Sequence, residues 1–281
     1  MKRVMTIQDI SCIGKCSLTV ALPIISAMGI ECAIVPTAVL STHTMFDGFT
    51  FRDLTDDLDS IREHWLKEEF SFDAIYTGYL GSIRQIEIVQ RFFSSFKRPD
   101  NYIIVDPAMA DNGKMYAGFD KDFALKMTEL SAYADIILPN ISEAAFMLDI
   151  EYPGENASIE TIKEMLLKLS KLGSKKVVIT GVKLEDDTFG FVGYDNETKS
   201  FFKYGTRQIP MRSHGTGDVF ASSFTGALTR GFDIFTALKI AADYTSECIN
   251  NSYKDPNHVN YAVNFEAEIP YLLESLKRFS Q

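Results

Sequence analysis

Residues 209–231 read IPMRSHGTGDVFASSFTGALTRG, and the rest of the chain is read outward from them. His214-Gly215-Thr216-Gly217-Asp218 forms a tight glycine turn, and Val219 to Arg230 reads as a helix of small and apolar residues. Glycine takes backbone angles closed to other residues and lets another molecule come close to the main chain. A helix starting at such a turn aims unpaired N–H groups and the positive end of its dipole outward, which suits a phosphate or a developing oxyanion. Asp218 then stands where a carboxylate could act as a base beside that anion-binding turn. The same residues also suit an ordinary turn in which Asp218 caps the helix, so the remainder of the chain has to decide.

At 281 residues the chain can bury a sizeable core. It is 46% hydrophobic and 23% charged, within the globular range. Its net charge of −10 argues against nucleic-acid and anionic-membrane surfaces, which need a basic footprint. A small phosphorylated ligand needs only a local set of donors and stays compatible. Cysteines at 12, 16, 32 and 248 make no CxxC pair and no zinc spacing. The opening MKRVMTIQDIS has no long apolar run behind its basic residues, and no stretch approaches a membrane span. A soluble, cytoplasmic protein with reduced thiols is expected.

Apolar runs alternate with helical periodicity along the chain. Strands are predicted at Arg3 to Gln8, Glu31 to Thr37, Asp73 to Thr77, Tyr102 to Val105, Asp135 to Leu138 and Lys176 to Thr180. Helices are predicted at Ser17 to Met28, Thr55 to Phe70, Ser82 to Phe96 and Phe119 to Ser131, with others after Glu143 and from Ile159 to Leu172. Phe189 to Tyr194 and Ser200 to Tyr204, joined by Asp195-Asn196, form a hairpin pattern. The expectation is one α/β domain over 1–281, built on a mostly parallel sheet.

Asp106, Asn140 and Thr180 each fall at the carboxyl end of a β-rich run, the edge that forms the ligand crevice of open parallel sheets. Loops after strands also carry Thr42 to Thr44, Tyr79 and Asp111. Each has a plain alternative: Asp106 before Pro107 starts a turn, Ser142 caps a helix, and Glu143 favours a helix dipole. Gathered with the glycine turn, they read as a site. A Walker P-loop, a GxGxxG after the first strand and a GxSxG elbow are all absent.

Six segments carry a family resemblance: Ser41-Thr42-His43-Thr44, Gly78-Tyr79-Leu80-Gly81-Ser82, Val105-Asp106-Pro107-Ala108-Met109-Ala110-Asp111, Pro139-Asn140-Ile141-Ser142-Glu143, Val177-Val178-Ile179-Thr180 and Gly215-Thr216-Gly217-Asp218. The chain resembles the pyridoxal (vitamin B6) kinase group of the ribokinase superfamily over nearly its whole length. The resemblance implies a three-layer α/β/α fold with no separate lid domain, and a homodimer. It also implies transfer of phosphate from ATP to the 5′-hydroxymethyl group of pyridoxal, pyridoxine or pyridoxamine.

By motif, Asp218 would be the base, and the amides of Gly215, Thr216 and Gly217 would hold the transferring phosphoryl. Asp106, Asn140, Glu143, Thr180, Thr216 and Tyr116 would bind ATP, and Asp106, Asp111 and Glu143 would organise Mg2+. Asp9, Ser11, His43, Thr44, Tyr79 and Asp218 would contact the acceptor. Asp9-Ile10 replaces a usual Ser-His, so Asp9 or Ser11 would take over that ring contact. Leu138 replaces a polar residue and leaves a K+ requirement open. The related alternative is a hydroxymethylpyrimidine (or its phosphate) kinase, whose members often carry Cys at the place of Asp218. The alternative of another class is a non-catalytic vitamer- or nucleotide-binding protein.

Overall fold

The computed structural model describes residues 1–185, 187–211, 213–259 and 261–279. The class is α/β, with mostly parallel strands flanked by helices. In chain order the first elements are β1 (Arg3–Ser11), α1 (Leu18–Ala27), β2 (Glu31–Leu40), β3 (Phe51–Asp53) and α2 (Thr55–Lys67). The middle of the chain gives β4 (Ala74–Thr77), α3 (Ile83–Phe96), β5 (Tyr102–Val105), β6 (Ala110–Asp111), β7 (Lys114–Met115) and α4 (Lys121–Ser131). Next come β8 (Ile136–Ile137), α5 (Ile141–Met147), α6 (Ile159–Leu169), β9 (Lys176–Glu185), β10 (Thr188–Asp195) and β11 (Ser200–Arg207). The chain closes with α7 (Thr216–Arg230), α8 (Ile234–Lys254) and α9 (Ile269–Phe279).

Two compact units emerge, one from residues 1–74 and 208–281, the other from residues 75–207. In the first, β1 pairs in parallel with β2, and β3 adds antiparallel to β2. Val4, Met5 and Ile7 of β1 are fully buried, as a strand covered on both faces requires. The β1–β2 register shifts between Gln8 and Ile10, where Gln8 faces Pro36 and Ile10 faces Val39. The extra residue lies on β2, where Thr37 and Ala38 stand opposite the single residue Asp9. Helix α7 carries Ala, Ser, Gly and Thr on its buried length, so α1 and α8 can lie against it, and Arg230 Nη1 donates to the Met28 carbonyl at 2.6 Å. Gly231, at φ 101°, ends α7 in the left-handed conformation.

In the second unit the strand order is β11-β10-β9-β8-β5-β4. The pairs β5–β8 and β8–β9 are parallel; β10 and β11 form the antiparallel hairpin anticipated from Asp195-Asn196, and β9 also pairs antiparallel with β10, which makes a three-stranded meander. Helices α3, α4 and α6 begin at Ser82, Asp120 and Ser158, whose side chains accept the N–H groups of Gln85, Phe123 and Thr161. The small β6–β7 hairpin at 110–115, which the sequence pattern does not reveal, follows β5 and turns through Asn112 and Gly113 at positive φ. Among the described residues, no helix is long and apolar enough to cross a membrane.

Candidate active-site residues

The glycine turn starts a helix, but Asp218 is not its cap. Gly215 holds the cap position at φ 78°, so Thr216, Gly217 and Asp218 fill the first turn of α7. A Cβ at Gly215 would overlap the Lys15 carbonyl oxygen, which is the close approach that glycine permits. Asp218, in that first turn, is pushed up to about 7, chiefly by burial, opposed by the Ser17 backbone N–H and helped by the charge of Asp9. A group poised near neutrality is what general-base work needs.

Asp9, only 3% exposed, accepts the Ser11 hydroxyl at 3.0 Å. Burial raises its pKa, and the Ser17 and Ser11 hydroxyls oppose the rise. Ser17 sits at φ 52° and ψ −130° just before α1, and its side chain does not cap that helix. Cys16 also neighbours both carboxylates; burial, then the charges of Asp218 and Asp9, keep its thiol protonated.

His43 is 8% exposed, and its ring covers Gly14 so closely that a Cβ there would overlap it. Its Nδ1 accepts the Met45 N–H at 3.2 Å, so Nε2 carries the proton and donates to the Tyr261 carbonyl at 3.2 Å. Burial lowers its pKa. With both nitrogens committed, His43 has its ring surface rather than a hydrogen bond left for a further contact. Phe46 and His214 pack against the same ring, whereas the following Thr44 is exposed.

In the second unit, Asn140 and Glu143 close a capping box at α5: the Glu143 N–H donates to Asn140 Oδ1 at 2.9 Å, and the Asn140 N–H donates to Glu143 Oε2 at 2.7 Å. Glu143 Oε1 accepts the Met109 N–H at 3.2 Å, and Asn140 Nδ2 donates to the Ala110 carbonyl at 2.8 Å. Ser142 Oγ accepts the Gly113 N–H at 2.8 Å. One helix start therefore fixes the loop after β5. Asp106, 8% exposed, lies close enough that its charge adds to burial in raising Glu143 well above the usual carboxylate range.

Thr180 bridges Asn140 in parallel register and donates its N–H to the Pro139 carbonyl at 2.9 Å. Asp111 is exposed, with its carboxylate accepting from the N–H and Nδ2 of Asn112. Tyr116, 37% exposed, closes the β6–β7 loop by donating its N–H to Met109, and Tyr79 packs against Phe119 at 5.4 Å between ring centroids. Asp106, Asn140, Glu143 and Thr180 thus come together, and Asp111 stands apart at the surface.

Among the described residues, no three His, Cys, Asp or Glu side chains gather as a closed metal cage. The adjacent carboxylates of Asp106 and Glu143 suit a different geometry. Mg2+ is commonly held by one or two carboxylates, with water and substrate phosphate completing its shell, and two like-charged buried carboxylates gain from a cation. The donor set fits Mg2+ in that form. Ser17 and Cys16 join the site without any sequence signal, because neither lies in a family motif and their positions depend on left-handed backbone at Lys15 and Ser17.

These features define an α/β protein with the ribokinase-like arrangement of a glycine-capped helix and an acidic first turn. The chain belongs to the phosphomethylpyrimidine kinase family, which matches residues 22–264. A Bacteroides thetaiotaomicron protein described as a phosphomethylpyrimidine kinase is 38% identical; its structure with pyridoxal superposes with a TM-score of 0.91 over 96% of this chain and 95% of that one. Pyridoxal kinase from Lactobacillus plantarum is 28% identical, with a TM-score of 0.89 over 99% of each chain. The bifunctional thiamine biosynthetic enzyme TH1 of Arabidopsis thaliana is 29% identical over 82% of this chain. The chain spans only 43% of that enzyme's length.

Proposed function

We propose that the chain transfers the γ-phosphoryl group of ATP to the hydroxymethyl group of a vitamin B6 vitamer. The observation that carries this reading is Asp218, held near neutrality in the first turn of a glycine-capped helix. Deprotonated Asp218 takes the proton of the acceptor hydroxymethyl as its oxygen attacks the γ-phosphorus, the bond from that phosphorus to the β–γ bridging oxygen breaks, and ADP leaves. The N–H groups of Gly215, Thr216 and Gly217 hold the charge on the transferring phosphoryl. Asp106 and Glu143 would hold Mg2+, which neutralises phosphate charge when bound. Asn140, Thr180 and Tyr116 bind the nucleotide phosphates, while His43, Thr44, Tyr79, Asp9 and Ser11 border the acceptor ring.

The complex of the Bacteroides relative with pyridoxal and the likeness to the Lactobacillus pyridoxal kinase support a vitamer. The family match and the likeness to TH1 favour hydroxymethylpyrimidine, or its phosphate, as a second reading. Both acceptors present a hydroxymethyl group on a nitrogen heteroaromatic ring, so the chemistry at Asp218 is common to them. Coupled ADP release with Mg-ATP against pyridoxal, pyridoxine, pyridoxamine and hydroxymethylpyrimidine at matched concentrations tests the assignment. Turnover of a vitamer supports it, turnover of the pyrimidine alone selects the second reading, and no turnover with any acceptor overturns both.

A further inference from the structure

The loop between β2 and β3 hangs from a buried side chain. Its base is closed by the Ser41 N–H, which donates to the Thr50 carbonyl at 3.1 Å, and by the Thr50 N–H, which donates to Ser41 Oγ at 2.9 Å. Among the described residues 41–50, His43 alone is buried, while Thr44, Met45, Asp47 and Gly48 are exposed. His43 also gathers the loop around itself: its Nδ1 accepts the Met45 N–H, and its carbonyl accepts the Phe46 N–H at 3.2 Å. Whatever fixes His43 therefore fixes residues 43–46.

One support for His43 is the loop after β1, where the Ile13 carbonyl accepts the His43 N–H at 3.1 Å and Gly14 makes room for the ring. Another lies 218 positions further along the chain, where the Tyr261 carbonyl accepts the Nε2–H at 3.2 Å. The Tyr261 ring stands 6.0 Å from His43 and 5.1 Å from Phe46, tilted by 57° and 64°, within the range where aromatic rings attract. Phe46 meets His43 edge-on at 5.1 Å, so these rings close on one another. Tyr261 itself has a firm base. Ala262 and Val263 are fully buried, the Asn264 N–H donates to Ser252 Oγ of α8 at 2.7 Å, and the Phe265 carbonyl accepts the Tyr244 hydroxyl at 2.8 Å.

We propose that Tyr261 is a positioning residue that docks the 43–46 loop onto the segment after α8, and so holds the ring of His43 and the neighbouring Thr44 in place for the acceptor. This rests on the reading of His43 and Thr44 as borders of the acceptor ring. The Tyr261 carbonyl fixes which nitrogen of His43 carries the proton. The Tyr261 ring, wedged against His43 and Phe46, shields that N–H from water and keeps the imidazole from turning. A residue that acts through the acceptor loop changes acceptor affinity before it changes the phosphoryl-transfer step. The carbonyl survives every substitution, so side-chain variants report on the ring.

The test compares full-length wild type with Tyr261→Ala, Tyr261→Leu and Tyr261→Phe by two readouts. One is the His43 Nε2–H resonance in 15N-histidine-labelled protein, assigned by its loss in His43→Gln. The other is the steady-state KM for acceptor and for ATP. In Tyr261→Ala the resonance is lost to water exchange and the acceptor KM rises roughly tenfold, while kcat and the ATP KM stay within about twofold. Tyr261→Leu moves both readouts the same way and, keeping apolar bulk, serves if the alanine variant folds poorly. Tyr261→Phe keeps wild-type values, because the contacts to the loop use the ring and the carbonyl. An unchanged resonance in both Tyr261→Ala and Tyr261→Leu overturns the docking. Acceptor and ATP KM rising together, or a fall in kcat alone, shows a general structural role and overturns the positioning of the acceptor. Loss of the resonance in Tyr261→Ala, in a protein that phosphorylates no acceptor, leaves the docking standing and removes the kinase reading alone.

Discussion

Glu143 and Asn140 satisfy each other's backbone: each side chain accepts the other's N–H, at 2.7 and 2.9 Å. Since Glu143 also accepts the Met109 N–H, its two oxygens span the loop after β5 and the start of α5. Glu143→Gln keeps one acceptor oxygen and leaves a buried donor unmet, at a cost of about 1–3 kcal/mol. We expect a melting temperature lower by several degrees and a rise in the Mg2+ concentration needed for half-maximal turnover. A changed melting temperature with an unchanged Mg2+ requirement would confine Glu143 to a structural role.

Asp218→Asn removes the base and keeps the shape of the first turn. Turnover should fall to background while ATP binding, followed by calorimetry, stays within about threefold, since the amides of α7 are untouched. Retained turnover would exclude Asp218 as the base.

The pH dependence of activity follows from the same carboxylate. Only deprotonated Asp218 can accept the hydroxymethyl proton, and it is held up to about 7 rather than the ordinary 3.8. Thus kcat/KM should rise with pH through an acid limb near 7; a profile flat from 5 to 8 would contradict this.

Stability carries the opposite sign. Between 3.8 and about 7 the folded state holds the Asp218 proton more tightly than the unfolded chain does. Its contribution is full below the unfolded value and is lost as pH rises through 7. Relative to wild type, Asp218→Asn should therefore gain on the order of 1 kcal/mol or more at pH 8 and little at pH 4, measured by denaturant midpoints.

Gly215→Ala meets two penalties together: positive φ, costing about 1–2 kcal/mol, and overlap with the Lys15 carbonyl. The turn must shift, so we expect a drop of about 10²-fold in kcat, as when a preorganised anion donor is lost. Calorimetric ATP binding should change less. Gly217, exposed and with open space at its Cβ, should tolerate alanine far better in melting temperature.

Much of the fold is legible in the sequence because it rests on short-range chemistry. Alternating apolar runs place β1, β2, β4 and β5 to within a few residues, and Asp195-Asn196 marks the β10–β11 turn. The glycine turn before an apolar helix identifies α7, though Asp218 falls in its first turn instead of capping it, since the left-handed Gly215 has already taken the cap. Asn140 is expected as a ligand residue and Glu143 as a ligand or a residue that favours the helix dipole, yet their spacing of three is itself a capping-box signal. Ser17 is invisible: nothing local predicts positive φ at a serine. The β6–β7 hairpin escapes because two-residue strands carry no periodicity.

The arrangement of the chain bears on synthesis. The second unit is one uninterrupted run, 75–207, able to pair its strands as it leaves the ribosome. The first unit is split, and β1 and α1 are made long before α7, which packs on both. Arg230 reaches Met28 across 202 positions, and Lys15 meets Glu266 only after 251. A nascent chain therefore carries an uncovered apolar face for most of its translation, and chaperone demand should be concentrated on its earliest segment.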